Sequence, residues 1–96
     1  MPNASVRVHI WVKGRVQGVG FRAFVADCAS EIGILGWVRN VNWDTVETIG
    51  EGSRMQVDVF CMAVKTGPHS SRVDTCRVDE ETFSGEFLDF EIRSSR

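Results

Sequence analysis

From Val6 to Lys13 apolar and polar residues alternate strictly, with Val6, Val8, Ile10 and Val12 set against Arg7, His9, Trp11 and Lys13. A repeat of two belongs to a β-strand with one face buried. The repeat then lengthens: Phe21, Phe24, Val25, Cys28, Ala29 and Ile32 fall on one face of a helix. This spacing predicts an amphipathic helix from about Arg22 to Leu35, with Gly33 and Gly36 bracketing its end. Two β-rich runs, Trp37 to Trp43 and Thr45 to Ile49, stand so close together that a hairpin joins them, its turn near Asn42 to Thr45. Ser53-Arg54-Met55-Gln56 then has the form of a capping box. It opens a helix carrying Val57, Phe60, Cys61 and Val64 on one face and stopping at Gly67-Pro68. Val73 to Val78 reads as a strand, and Phe87 to Ile92 as a last one, where Phe87, Asp89 and Glu91 alternate against Leu88, Phe90 and Ile92.

The order β-α-β-β-α-β plus a short terminal strand predicts a fold class. Two crossover helices on one face of an antiparallel sheet give an α+β, ferredoxin-like sandwich. In that arrangement the first strand and the hairpin are sheet neighbours, which leaves room for Asn40 on the hairpin to face the loop that follows the first strand, a contact that spacing by itself does not establish. A chain of 96 residues, 43% of them hydrophobic, fits a single domain spanning 1–96 with its core at about 6–93.

Between the first strand and the first helix lies Gly14-Arg15-Val16-Gln17-Gly18-Val19-Gly20-Phe21-Arg22. Glycines let backbone N–H groups turn inward, and the helix that follows offers further unpaired donors, so this stretch reads as an anion cradle. Neither the Walker nor the Rossmann glycine pattern is met, so a nucleotide site is not indicated. A cation in the first turn opposes the helix dipole, and Arg22 fits there when an anion sits between the guanidinium and the helix. The charge layout agrees. Residues 1–26 carry Arg7, Lys13, Arg15 and Arg22 and no carboxylate, whereas the whole chain has a net charge of −2. A basic segment on an acidic body focuses a small anion and disfavours long polyanions, so no nucleic-acid partner is expected.

Other candidates carry less. His9 lies on the outward side of its strand, without a second ligand at metal spacing, and reads as a surface side chain. Cys28, Cys61 and Cys76 lack the paired spacing of a zinc or redox motif and read as reduced, mostly buried thiols, none of them a nucleophile. The amino terminus has no signal-peptide pattern, and no apolar run approaches the roughly 20 residues of a membrane helix. The expectation is a cytoplasmic protein with no membrane partner.

The chain resembles the acylphosphatase family. The matching pieces are Val12 to Arg22, then Gly36-Trp37-Val38-Arg39-Asn40, Val46-Glu47 leading to Glu51-Gly52, Gly67-Pro68 and Gly85-Glu86-Phe87. The resemblance implies hydrolysis of the carboxyl-phosphate bond of acyl phosphates to a carboxylate and inorganic phosphate, with no metal or organic cofactor. It further implies that Arg22 binds the phosphoryl oxygens together with backbone N–H groups of Arg15, Val16, Gln17, Gly18, Val19, Gly20 and Phe21. Asn40 would position the attacking water, and the substrate's own phosphate would take its proton. The expected assembly is a monomer.

One departure stands out. Where the family usually has an Asp-Gly turn, this chain reads Asn42-Trp43-Asp44-Thr45, which predicts a wider or bulged hairpin tip close to Asn40. Two alternatives remain at this stage. One is an RNA-binding module of the same architecture, disfavoured by the pI near 5.6 and because Phe21 and Phe24 fit the buried side of a helix. The other is a non-catalytic regulatory or phosphate-binding module on the acylphosphatase fold.

Overall fold

A computed structural model describes residues 5–96. The elements are β1 (Ser5–Arg15), α1 (Phe21–Ile32), β2 (Leu35–Val41), β3 (Thr45–Ser53), α2 (Arg54–Thr66), β4 (Arg72–Glu81) and β5 (Phe90–Ile92). The strands form one sheet in the order β4-β1-β3-β2-β5. The first four pair antiparallel, as predicted; β5 runs parallel to β2, so the sheet is mixed.

Both helices cover one face. Val6, Val8, Ile10 and Val12 of β1 and Val38 and Val46 of the hairpin meet Phe21, Val25 and Ala29 of α1 and Val57, Phe60 and Val64 of α2 in a single core. The alternation in β1 and the helical spacing thus converge on the same apolar layer, whose burial is the main drive to fold.

Several boundaries moved. Helix α1 ends at Ile32 because Gly33 turns left-handed (φ 95°) and donates its N–H to Ala29 O at 2.8 Å. Leu35 and Gly36, expected at the helix end, start β2 instead. The terminal strand begins at Phe90 rather than Phe87, and Leu88, expected on an alternating strand, is 95% exposed. The cause is Glu51, which accepts hydrogen bonds from Ser84 N–H (2.9 Å), Ser84 Oγ (3.0 Å) and Gly85 N–H (3.1 Å) and so straps the preceding segment across the sheet.

The face away from the helices carries the largest correction. His9 does point outward, but its side chain is only 14% exposed. Its Nε2 lies 2.6 Å from Glu47 and its Nδ1 2.7 Å from Glu81, and its ring stacks on Trp11 at 3.7 Å. Glu47 also takes Arg39 Nε at 2.7 Å, and Arg7 pairs with Glu51, Glu81 and Glu86. Charged side chains from four strands and the 82–89 segment thus knit a polar layer over this face.

Candidate active site

Local geometry at the end of β1 sets the loop. Between Lys13 and Gly14 the β1–β4 register shifts, and Gly14 (φ 143°) donates its N–H to Asp44 O at 3.0 Å. A Cβ at Gly14 would stand 2.3 Å from Arg72 O, so no other residue fits this bulge. The chain then leaves the ladder. Val16 plunges into the core, anchoring the loop, and Gly20 (φ 75°) caps α1 in the left-handed region. No side chain caps this helix, and its first turn holds no acid.

Consequently the backbone N–H groups from Val16 to Phe21 find no acceptor among the described residues. A concave run of unsatisfied amides at the positive end of a helix is an anion nest. Gln17 holds it in place: its side-chain amide donates toward Thr45 O (2.9 Å), Val41 O (3.2 Å) and Asn42 O (3.3 Å), tying the loop to the tip of the β2–β3 hairpin.

The loop borders a cleft of about 260 Å³. Val16, Gln17, Gly18, Gly20 and Phe21 line it from the loop, Arg22 and Ala23 from α1, Asn40 from β2 and Ile92 from β5. Arg22 and Asn40, 18 positions apart in sequence, therefore meet at one opening, as the motif reading expects. The side chains of both are without a hydrogen-bond or ion-pair partner among the described residues. Two members of the expected loop lie elsewhere. Arg15 is the last residue of β1, paired with Arg72, because the bulge at Gly14 carries the strand one residue further. Val19 packs against the core, and its carbonyl accepts from Ser70 Oγ at 3.2 Å.

Ile92 was missed, since only the parallel pairing of β5 brings it beside β2. Gln17 was expected to contribute its N–H; the clasp made by its side chain was not visible. The tip departure is resolved simply: the turn is Asn42–Asp44, with the positive φ (55°) at Asn42 rather than Trp43, and Asn40 keeps its ladder position opposite Val46.

Among the described residues no carboxylate, imidazole or thiol lines the cleft. Cys28, Cys61 and Cys76 are half-buried rather than mostly buried, and burial pushes each thiol pKa up, which keeps it protonated. Among the described residues no three His, Cys, Asp or Glu side chains gather as a metal-ion site, and no helix is long and apolar enough to cross a membrane.

The α+β sandwich thus brings loop amides, the Arg22 guanidinium and the Asn40 amide together around one small cleft. The acylphosphatase family model matches residues 8–92. An acylphosphatase of Syntrophotalea carbinolica is 43% identical over 88 residues, covering 92% of this chain and 96% of that protein. The crystal structure of acylphosphatase from Bacillus subtilis superposes with a TM-score of 0.87 at 38% identity, covering 92% of this chain and 98% of that one. Full-length HypF, in its phosphate- and nucleotide-bound form, matches 97% of this chain with a TM-score of 0.86 and 30% identity, over 12% of its own length. The chain belongs to the acylphosphatase family.

Proposed function

We propose that the acylphosphatase activity of this chain, hydrolysis of an acyl phosphate to a carboxylate and inorganic phosphate, is carried by Arg22 and Asn40 with the amides of the Val16–Phe21 loop. The observation that supports this is their meeting in one cleft with their polar groups unspent.

The chemistry requires little else. A carboxylate leaving group has a conjugate-acid pKa of about 4 to 5, so it departs without a protonated side chain. Phosphoryl transfer passes through a loose transition state with charge on the equatorial oxygens, and preorganised donors carry most of the stabilisation. The loop amides and the planar fork of Arg22 are such donors, unpaired among the described residues. Asn40 orients the water through its carbonyl and NH₂ but is too weak a base to deprotonate it at neutral pH. With no carboxylate or imidazole lining the cleft, the water proton passes to a phosphoryl oxygen of the substrate. The same reading includes a monomer acting in the cytoplasm on a small molecule, without metal, nucleic acid or membrane.

The test is turnover of benzoyl phosphate, in the presence of a metal chelator, by the native chain, Arg22→Ala and Asn40→Ala, each verified as folded by circular dichroism. Loss of about 10²- to 10³-fold in each variant is expected, by the scale of oxyanion-donor deletions. Arg22→Lys should not restore the rate, because a point charge lacks the two-pronged contact. Native-like rates in either alanine variant would remove that residue from the mechanism, and a native chain no faster than buffer would leave a phosphate-binding module.

A further inference from the structure

A second groove adjoins the phosphoryl cleft and is unused by the chemistry above. It holds about 700 Å³ between the end of β1, the start of β4 and the hairpin tip, and Val16 and Gln17 line both spaces. Such a volume suits a sizeable organic group and far exceeds an acetyl group.

Its lining has two features that the fold does not require. Trp43 is 81% exposed at the tip, and the left-handed conformation of the turn is taken by Asn42, so the indole serves neither core nor turn. Arg15 is exposed and has no side-chain partner among the described residues, whereas its neighbours are matched, Lys13 with Asp44 (3.5 Å) and Arg72 with Asp74 (3.0 Å). The groove therefore offers one flat apolar wall and one uncompensated guanidinium.

The phosphoryl group sits in the cleft, so the acyl arm must leave across one of its walls. We propose that the arm crosses the Val16–Gln17 wall into this groove, and that the chain favours acyl phosphates whose extended arm lays a flat apolar part on Trp43 and presents a second anionic group to Arg15. This rests on the hydrolytic reading above. Binding energy from such a remote part is available to the transition state, so it raises kcat/KM for the longer substrate.

The experiment compares acetyl, benzoyl and 4-carboxybenzoyl phosphate in the native chain, Trp43→Ala, Trp43→Phe and Arg15→Ala. Ratios between substrates within each variant, referred to the native ratios, cancel the intrinsic reactivities. Trp43→Ala should lower the benzoyl-to-acetyl ratio of kcat/KM by about tenfold, the scale of a lost apolar contact, with Trp43→Phe recovering most of it. Arg15→Ala should lower the 4-carboxybenzoyl-to-benzoyl ratio by about tenfold, the scale of one charge-assisted hydrogen bond. A flat first ratio overturns the role of Trp43, and a flat second ratio that of Arg15. If all three substrates fall together in Arg15→Ala, the guanidinium acts on the phosphoryl group and the anionic subsite is refuted. Should the native chain turn over none of them, the hydrolytic reading falls as well, an outcome distinct from unchanged ratios in an active enzyme.

Discussion

Gln17 shows how one side chain ties the loop of the candidate site to the neighbouring hairpin. Its amide reaches three carbonyl oxygens at the hairpin tip, at 2.9 to 3.3 Å, and so couples the loop that presents the amides to the strand that presents Asn40. Gln17→Ala should leave the anion nest in place but free it to drift against Asn40, and misplacement by an ångström costs as much as 10²-fold. We expect kcat to fall by about ten- to a hundredfold while inhibition by inorganic phosphate changes little. Equal losses in both would assign Gln17 to phosphate binding instead. Gln17→Glu should be no better, since an ionised carboxylate cannot donate to three carbonyls. At this scale the sequence was legible where the cleft's lining lies in consecutive residues: the loop, Arg22 and Asn40 are all contained in two short motifs. It was opaque where a partner comes from another strand. Nothing local to His9 announces that Glu47 and Glu81 will stand on either side of it, because strand register decides that.

The elements were read well where a stop or start signal is chemical. Ser53 accepts from Gln56 N–H at 3.2 Å while Gln56 Oε1 accepts from Ser53 N–H at 2.9 Å, so both halves of the predicted capping box form. Gln56 Nε2 also donates to Ile32 O at 3.1 Å, joining the start of α2 to the end of α1. Ser53→Ala should cost about 1 kcal/mol of stability in urea unfolding. Gln56→Ala should cost more, because it also strips a partner from the Ile32 carbonyl. Ser53 pairs with Ser5, at the opposite end of β1 from the loop, so activity of the folded variants should be native-like. A large drop in kcat at full folding would mean that the two ends are coupled. Elements were misread where tertiary contacts override pattern. The alternation from Phe87 onward looks like a strand, yet the strap to Glu51 keeps Phe87 to Asp89 out of the sheet. Likewise Leu35 continued the apolar pattern of α1, and only the turn at Gly33 assigns it to β2.

Over the whole molecule, the basic segment on an acidic body resolves into two kinds of cation. Arg7 and Lys13 are paired with carboxylates from elsewhere in the chain, while Arg15 and Arg22, flanking the loop, have no such partner among the described residues. The sequence could locate the excess charge but not which half of it would be neutralised. Arg39 and Asn40 are consecutive on β2 and so point to opposite faces: Arg39 into the ionic layer, Asn40 into the cleft. Glu47 anchors that layer. Burial pushes its pKa up, but the hydrogen bonds and charges of His9 and Arg39 outweigh this and hold it below the ordinary 4.5. With the folded value below the unfolded one, the unfolded chain binds more protons in the acid range. The stabilisation from Glu47 is therefore complete above about pH 4.5 and is lost as pH falls through the lower folded value. Urea midpoints measured from pH 7 down to pH 3 should fall steeply across this window in the native chain. Glu47→Gln should be less stable at pH 7 and fall less on acidification, and an acid limb as steep as the native one would overturn this role of Glu47. Because the layer lies across the sheet from the cleft, the native chain should keep its kcat, while it stays folded, at pH values where its stability advantage over Glu47→Gln has already shrunk.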